Sequence, residues 1–186
     1  MTSQAYRQTA RYEPSERENL EDPSNRLLWR FPPGRLSAEE VRDAMLSISG
    51  ELKHRDGGTS QGDDAPVRSV YVKKMRNTPN AVLQCFDAPL GFASEPSRLN
   101  TTTATQSLLL SNSPWPLGRA RAMAKRLLAG NAKPSAKEID HAYRMVWGRA
   151  PSQEEIDAGV EFIESQSKLT GDEMVERKPA SVSRLV

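Results

Sequence analysis

The chain has 186 residues, which is close to the size of one domain and short for two independent hydrophobic cores. Apolar residues make up 37% of it and charged residues 27%, and its 11 glycines and 13 prolines predict a small core with many loops. Basic residues outnumber acidic ones by only two, so the chain lacks the positive field of a dedicated nucleic-acid binder. The single cysteine, Cys85, excludes an internal disulfide and a cysteine-based metal cluster.

Both ends of the chain are polar and lack apolar periodicity. We therefore expect disordered tails at residues 1–22 and 168–186, around one domain at residues 23–167. The N-terminal segment lacks the run of about 7 to 15 apolar residues that a signal peptide needs. No stretch of about 18 apolar residues is present for a spanning helix. The sequence thus predicts neither an export signal nor a membrane span, and it leaves the compartment unknown.

The first helix signal starts at Ser37, which can form a capping box with Glu40. Apolar residues then recur at helical spacing, namely Val41, Ala44, Met45, Ile48 and Leu52. This pattern predicts a helix from about Ala38 to Lys53, with these side chains on one face.

Turn-forming residues dominate the next segment, His54 to Pro66, which contains three glycines and the pair Asp63 and Asp64. That composition predicts a loop. Val67 to Met75 follows and is enriched in β-branched and aromatic residues, which predicts one short strand. The sequence identifies no partner strand for it.

Thr78 and Pro79 fit the N-cap and the first helical position of a short helix that would end near Asp87. Its apolar side would consist of Val82, Leu83 and Phe86. The next segment, Ala88 to Asn100, is predicted to be a loop because prolines and a glycine interrupt any periodicity.

Thr103 and Gln106 form a second capping box ahead of three consecutive leucines. Pro114 disfavours helical geometry at the residue before it, so this helix should end near Asn112. Because the helix is short and apolar, we expect it to be buried.

A longer helix is predicted from about Pro116 to Gly130. One side of it carries four cationic residues, Arg119, Arg121, Lys125 and Arg126. Such groups pair with sulfate or phosphate oxygens, so the face can be interpreted as a site for an anionic glycan or an acidic partner. The simpler interpretation is a solvated helix face, since no aromatic residues alternate with the charges to stack on sugars or bases.

Two further capping boxes, Ser135 with Glu138 and Ser152 with Glu155, each open a helix with an apolar stripe. Gly148 lies between the helices and suits the left-handed residue after a helix end. The two helices should therefore form a tight hairpin. The sequence as a whole predicts a mainly α-helical single small domain, with a C-terminal helical bundle or hairpin and one short β segment.

Six segments along the chain carry a family resemblance, and they occur in the family's order: residues 25–30, 35–46, 68–72, 86–89, 101–110, and 142–144 with 148–151. Together they resemble the C-terminal domain of planctomycete haem-associated proteins, catalogued as domain-of-unknown-function family 1553 (DUF1553). The match covers roughly residues 23–165. It names a family without naming a reaction.

The resemblance implies a domain that comes last in long exported chains, after a cytochrome-c-like haem segment and a second uncharacterised domain. Haem-bearing and middle domains of the same family, encoded separately, are therefore the expected partners. This chain has no Cys-x-x-Cys-His sequence for covalent haem attachment, so the resemblance assigns it no cofactor. A stand-alone protein and a fragment of a longer one both fit the match.

Four charged residues, Asp43, Arg68, Asp87 and Arg98, fall in or near the family-like segments. They can line a cleft or form structural ion pairs, and structural pairing is the preferred interpretation. A cleft with two carboxylates about 5 to 9.5 Å apart would suit an enzyme that acts on glycans.

Other reactive residue types give weaker signals. Ser60 lies in a Gly-x-Ser-x-Gly sequence, but the strand and helix of a nucleophile elbow do not flank it. His54 and His141 lack a second ligand at metal-site spacing. We interpret the serine as part of a flexible loop, the histidines as surface residues and Cys85 as a small core residue.

The sequence therefore favours a non-catalytic structural or interaction module. The alternative is an enzyme or enzyme subunit that acts on a sulfated polysaccharide. Nucleic-acid binding through the cationic helix face ranks last, because the net charge is near neutral.

Overall fold

A computed structural model describes residues 3–10, 21–32, 34–75, 77–89, 91, 96–99, 101–128 and 135–176, with side chains up to residue 169. Parts of both predicted tails lie outside these ranges, as does Gly130 at the predicted end of the long helix. The chain divides into two units, Met1–Ser37 and Ala38–Val186, which are described separately.

The first unit contains a short helix, α1 (Gln4–Arg7), and Ser3 caps it by accepting a hydrogen bond from the Tyr6 N–H at 3.3 Å. The Tyr6 ring meets the Phe31 ring edge to face, with 5.6 Å between their centroids. Aromatic pairs favour this geometry.

A buried carboxylate organises the second part of this unit. Asp22 accepts hydrogen bonds from the N–H groups of Arg26 at 2.9 Å and Leu27 at 2.7 Å, and its carbonyl accepts one from Trp29 Nε1. The bond from Leu27 is the main cause that lowers the pKa of Asp22, and burial opposes it. The carboxylate therefore holds the turn that follows it.

In the second unit, helix α2 (Ala38–Ser49) is shorter than predicted, because Gly50 takes a left-handed conformation with φ of 78° and ends it. The side chains that the fold buries are Ala38, Arg42, Leu46 and Ser49. The predicted apolar stripe lies beside this face and is only half-buried.

The predicted strand at Val67 to Met75 was wrong in its main part. Ser69–Tyr71 is a 3₁₀ turn, and a single parallel bridge pairs Gln61 with Val72. The Ser69 N–H donates to the Asp43 carboxylate instead of to a neighbouring strand, so β pairing cannot run through this residue. His54 to Pro66 contains no helix in the structure, as the sequence predicted.

The next two helices are α3 (Ala81–Cys85) and α4 (Ala104–Asn112). Helix α3 starts later than predicted, because Asn80 rather than Thr78 caps it and accepts from the Leu83 N–H at 3.1 Å. The capping box and the end of α4 before Pro114 are confirmed.

The expectation that α4 is buried was wrong. Its only buried residue is Gln106, whereas Leu108 is 62% exposed. The Gln106 amide donates to the carbonyls of Cys85 at 3.1 Å and Thr101 at 3.0 Å. The helix is therefore oriented by a polar side chain that joins it to the end of α3.

Helix α5 (Pro114–Leu128) begins two residues earlier than predicted and packs against both α2 and α4. The last two helices, α6 (Ala136–Trp147) and α7 (Gln153–Glu176), pack against each other. Gly148 joins them in a left-handed conformation, and Gly159 of α7 leaves room for the Ile139 side chain of α6. The described structure is mainly α-helical with a C-terminal hairpin, which confirms the predicted fold class.

Candidate functional site

A fully buried arginine on α2 holds the loop that follows this helix. Arg42 Nη1 donates to the carbonyl of Val67 at 2.8 Å, and Nη2 donates to the carbonyls of Ala65 at 2.8 Å and Asp63 at 3.0 Å. The segment from Asp63 to Val67 is a series of turns, in which the Ala65 N–H donates to the Gly62 carbonyl at 3.1 Å and the Val67 N–H to the Ala65 carbonyl at 2.8 Å. The planar guanidinium binds three carbonyls of this segment at once. These hydrogen bonds hold the loop against the helix.

The charge of Arg42 is balanced locally. Its Nη1 lies 3.7 Å from Asp43 Oδ1, and its guanidinium lies 5.5 Å from the centre of the Trp115 ring. Burial lowers the pKa of Arg42 and nearby Asp43 opposes that shift. The guanidinium stays protonated, since its ordinary pKa is far above neutrality.

Asp43 fixes the 3₁₀ turn. Its Oδ1 accepts hydrogen bonds from both the backbone N–H and the hydroxyl of Ser69, each at 2.7 Å. Its other oxygen lies 3.5 Å from Arg68 Nε. The structure thus brings together Asp43 and Arg68, two of the four predicted cleft residues, with the carboxylate bound to the protein's own backbone.

A pocket of about 240 Å³ opens beside this turn. We call it the Glu39 pocket, and its walls are formed by the first turn of α2, residues 69–75 and helix α3 with the residues after it. Seven of its thirteen lining residues are apolar, and the other six are polar or charged, among them Glu39, Lys73 and Lys74. Residues that define it include Glu39, Val72, Lys74, Pro79, Leu83 and Pro89.

Glu39 forms an ion pair at the pocket with Arg98, whose Nη1 lies 2.5 Å from Glu39 Oε2. The hydrogen bond from Arg98 is the largest cause that lowers the pKa of Glu39, and the nearby charge of Lys74 lowers it further. This acid is therefore charged and compensated at neutral pH.

Asp87 has a different role. It adopts a left-handed backbone with φ of 62°, and its carboxylate accepts hydrogen bonds from the N–H and the hydroxyl of Thr101. The carboxylate thus joins the end of α3 to the segment before α4. The four predicted cleft residues therefore belong to three separate contacts: Asp43 with Arg68, Arg98 with Glu39, and Asp87 with Thr101.

The predicted cationic face divides into two pairs of residues. Arg119 pairs with Glu51 at 2.6 Å, and Arg126 donates to the carbonyl of Ile48 at 3.0 Å. These contacts attach α5 to the end of α2. Arg121 and Lys125 are exposed and have no hydrogen bond or ion pair with the residues that the structure describes.

The weaker candidates lie in different elements: His54 and Ser60 in the loop after α2, Cys85 at the end of α3 and His141 on α6. Ser60 is exposed in the loop, and His54 pairs with Asp56 at the surface at 2.9 Å. Within the described ranges, no group of three or more His, Cys, Asp or Glu side chains is placed to hold a metal ion. None of the helices described is both long and apolar enough to cross a bilayer.

Sequence reasoning missed Arg42 and Glu39, and it missed the contact of Gln106 with the end of α3. A signal for Arg42 was present, because it lies four residues after Ala38 and four before Leu46, in the middle of a helical stripe. A charged residue at such a position has to be neutralised and hydrogen-bonded if the stripe is buried. Glu39 and Gln106 depend on partners distant in sequence, which no local pattern reveals.

A family model described as "Protein of unknown function (DUF1553)" matches residues 1–163. The chain belongs to the DUF1553 family. No curated protein and no solved structure matches it. In this DUF1553 protein the match spans both units and most of the C-terminal hairpin, so the Arg42 contacts and the Glu39 pocket lie within the matched region.

The division of the cationic face predicts unequal effects on stability. Replacing Arg119 and Arg126 by methionine should lower the free energy of unfolding by about 1–2 kcal/mol, because one backbone hydrogen bond and one partly buried ion pair are lost. Urea unfolding followed by circular dichroism measures this change. The matched variant Arg121→Met with Lys125→Met removes the same charge and should change stability by less than about 0.5 kcal/mol. Equal losses in the two variants would contradict this division.

The Glu39–Arg98 pair predicts a defined pH dependence. Because folding lowers the pKa of Glu39, the pair stabilises the protein fully above pH 4.5 and loses this effect as the pH falls through the lowered pKa. In Arg98→Met, the carboxyl ¹³C resonance of Glu39 should titrate at a higher pH than in the unmodified protein. Arg149→Met breaks a different ion pair, with Glu155, and should leave that midpoint unchanged. An unchanged midpoint in Arg98→Met would refute the assigned cause.

Proposed function

We propose that this DUF1553 chain is a non-catalytic interaction module that binds a partner protein through the Glu39 pocket. The observation that supports this most is how the acidic residues of the predicted cleft are used. Asp43 binds the 3₁₀ turn and Asp87 binds Thr101, so each carboxylate is committed to the protein's own backbone. Hydrogen bonds of this kind make the surface rigid.

The chemistry of the pocket also favours binding over catalysis. Glycoside hydrolysis uses two carboxyl groups about 5 to 9.5 Å apart across one bond. The lining of the Glu39 pocket includes one carboxylate, which Arg98 already neutralises. A pocket that combines apolar side chains with several polar and charged groups is typical of a recognition site.

The expected partners are the haem-bearing and middle domains that the family resemblance implies, encoded separately. The second candidate function, action on a sulfated polysaccharide, would place the polymer on Arg121 and Lys125, which remain exposed on α5. Two adjacent cations form a much smaller binding site for an anionic polymer than four cations would. Nucleic-acid binding would likewise have only these two exposed cations available. The near-neutral net charge of the chain disfavours it further.

A substitution that fills the pocket tests partner binding. Leu83→Trp places a larger side chain in the pocket wall, so it should weaken binding of the family's haem-bearing and middle domains at least about tenfold, as measured by analytical ultracentrifugation. Leu108→Trp makes the same change at an exposed site on α4 and should leave binding unchanged. Circular dichroism of both variants confirms that they are folded.

A catalytic assay tests the alternative function, an enzyme that acts on a sulfated polysaccharide. The purified chain should release neither sulfate nor reducing ends from heparin, fucoidan and carrageenan above the level of Glu39→Gln. Activity that Glu39→Gln or Asp43→Asn abolishes would overturn the proposal and favour an enzyme. Equal binding by Leu83→Trp and the unmodified chain would show that the partner does not use the pocket.

A further inference from the structure

We infer that the Glu39 pocket takes an extended acidic segment of a protein, which pairs with the backbone of residues 72–74 and inserts one large apolar side chain. This inference rests on the proposed interaction function and names the class of partner. Three independent features support it: the size of the pocket, the unused backbone groups at its wall, and the charge at its rim.

The size of the pocket favours one anchoring side chain. Pockets that enclose a whole drug-sized molecule have volumes of about 300–1,000 Å³. The Glu39 pocket, at about 240 Å³, lies below that range, and apolar side chains such as Val72, Pro79 and Leu83 line it. Protein interfaces commonly bury a single large apolar residue in such a pocket and draw much of their affinity from it.

The backbone at the pocket wall is open for strand addition. The Tyr71 carbonyl and the Lys73 N–H both bond to Gln61, at 2.8 Å each. In an extended chain, successive residues direct their hydrogen-bonding groups to opposite sides. The carbonyl of Val72 and the N–H of Lys74 therefore face away from Gln61.

These two groups form no hydrogen bond with any residue that the structure describes. A carbonyl and an N–H two residues apart on one edge are the groups that an added strand uses. Val72 and Lys74 also line the pocket, so an added strand would run along its wall. One side chain of such a strand would then be directed into the pocket.

The charge at the rim selects an acidic segment. Lys73 and Lys74 are exposed pocket residues, and neither forms an ion pair within 4.0 Å among the described residues. Glu39 is already paired with Arg98, so the two lysines leave a positive rim. A glutamate or aspartate next to the apolar anchor would complement it.

Selection from a random dodecapeptide library displayed on phage tests this inference, with the purified chain as bait. Enriched peptides should share one large apolar residue next to an aspartate or glutamate. The variant Lys73→Glu with Lys74→Glu should bind a synthetic consensus peptide at least about tenfold more weakly in calorimetry. The matched variant Arg121→Glu with Lys125→Glu reverses two exposed charges on α5 and should bind it normally.

The backbone contact has its own test. Methylation of single backbone nitrogens in the consensus peptide should weaken binding about tenfold at the position that donates to Val72, and little at the flanking positions. Uniform tolerance of methylation would overturn strand addition. An enriched motif without acidic residues, or one that binds the double lysine variant equally well, would overturn the assigned partner class.

These outcomes are distinguishable from failure of the proposed function. If peptide selection fails but Leu83→Trp still disrupts the complex with the haem-bearing and middle domains, the pocket remains an interaction site and the acidic-segment inference is wrong. If both fail, the pocket binds no protein. A small amphipathic carboxylate that binds the pocket, measured with octanoate, while the library yields no motif, would likewise contradict the inference.

Discussion

The buried guanidinium of Arg42 is the contact on which the site depends. It donates to the carbonyls of Asp63, Ala65 and Val67, and neighbouring Asp43 accepts from Ser69. A buried charge costs several kcal/mol unless hydrogen bonds and a counter-charge compensate for it. If the loop moved away, the buried guanidinium of Arg42 would lose its hydrogen-bond acceptors and the protein would be destabilised. Arg42 itself stays in the core as long as α2 keeps its orientation. Loop and helix therefore hold each other in place.

The consequences extend to the Glu39 pocket. Because Val67 and Ser69 are fixed, the chain turns through a 3₁₀ turn and then runs extended past Gln61, which places residues 72–75 at the pocket wall. On the other side, Asn80 caps α3 and directs Leu83 toward the same space. The pocket is thus formed by contacts that need no ligand, and a preformed site loses less conformational entropy on binding.

The sequence correctly predicted those features that depend on interactions within a few residues. The capping box at Thr103 with Gln106 and the left-handed Gly148 were predicted from sequence because each acts within a few residues. The strand at Val67 to Met75 was mispredicted because Asp43, about 26 residues away, takes the Ser69 N–H. The exposure of Leu108 was missed for a similar reason, since Gln106 is the residue of α4 that the fold buries. Tertiary contacts overrode propensity at both places.

Amide hydrogen exchange, followed by mass spectrometry, tests the role of Arg42 most directly. In Arg42→Met, protection of the amides of Ser69, Val72 and Lys73 should fall about a hundredfold or more, because the buried carbonyls lose their donors. The hairpin of α6 and α7 should keep its protection, and Arg121→Met should exchange like the unmodified chain. Unchanged protection of residues 69–73 in Arg42→Met would contradict the account, as would an equal loss in the hairpin.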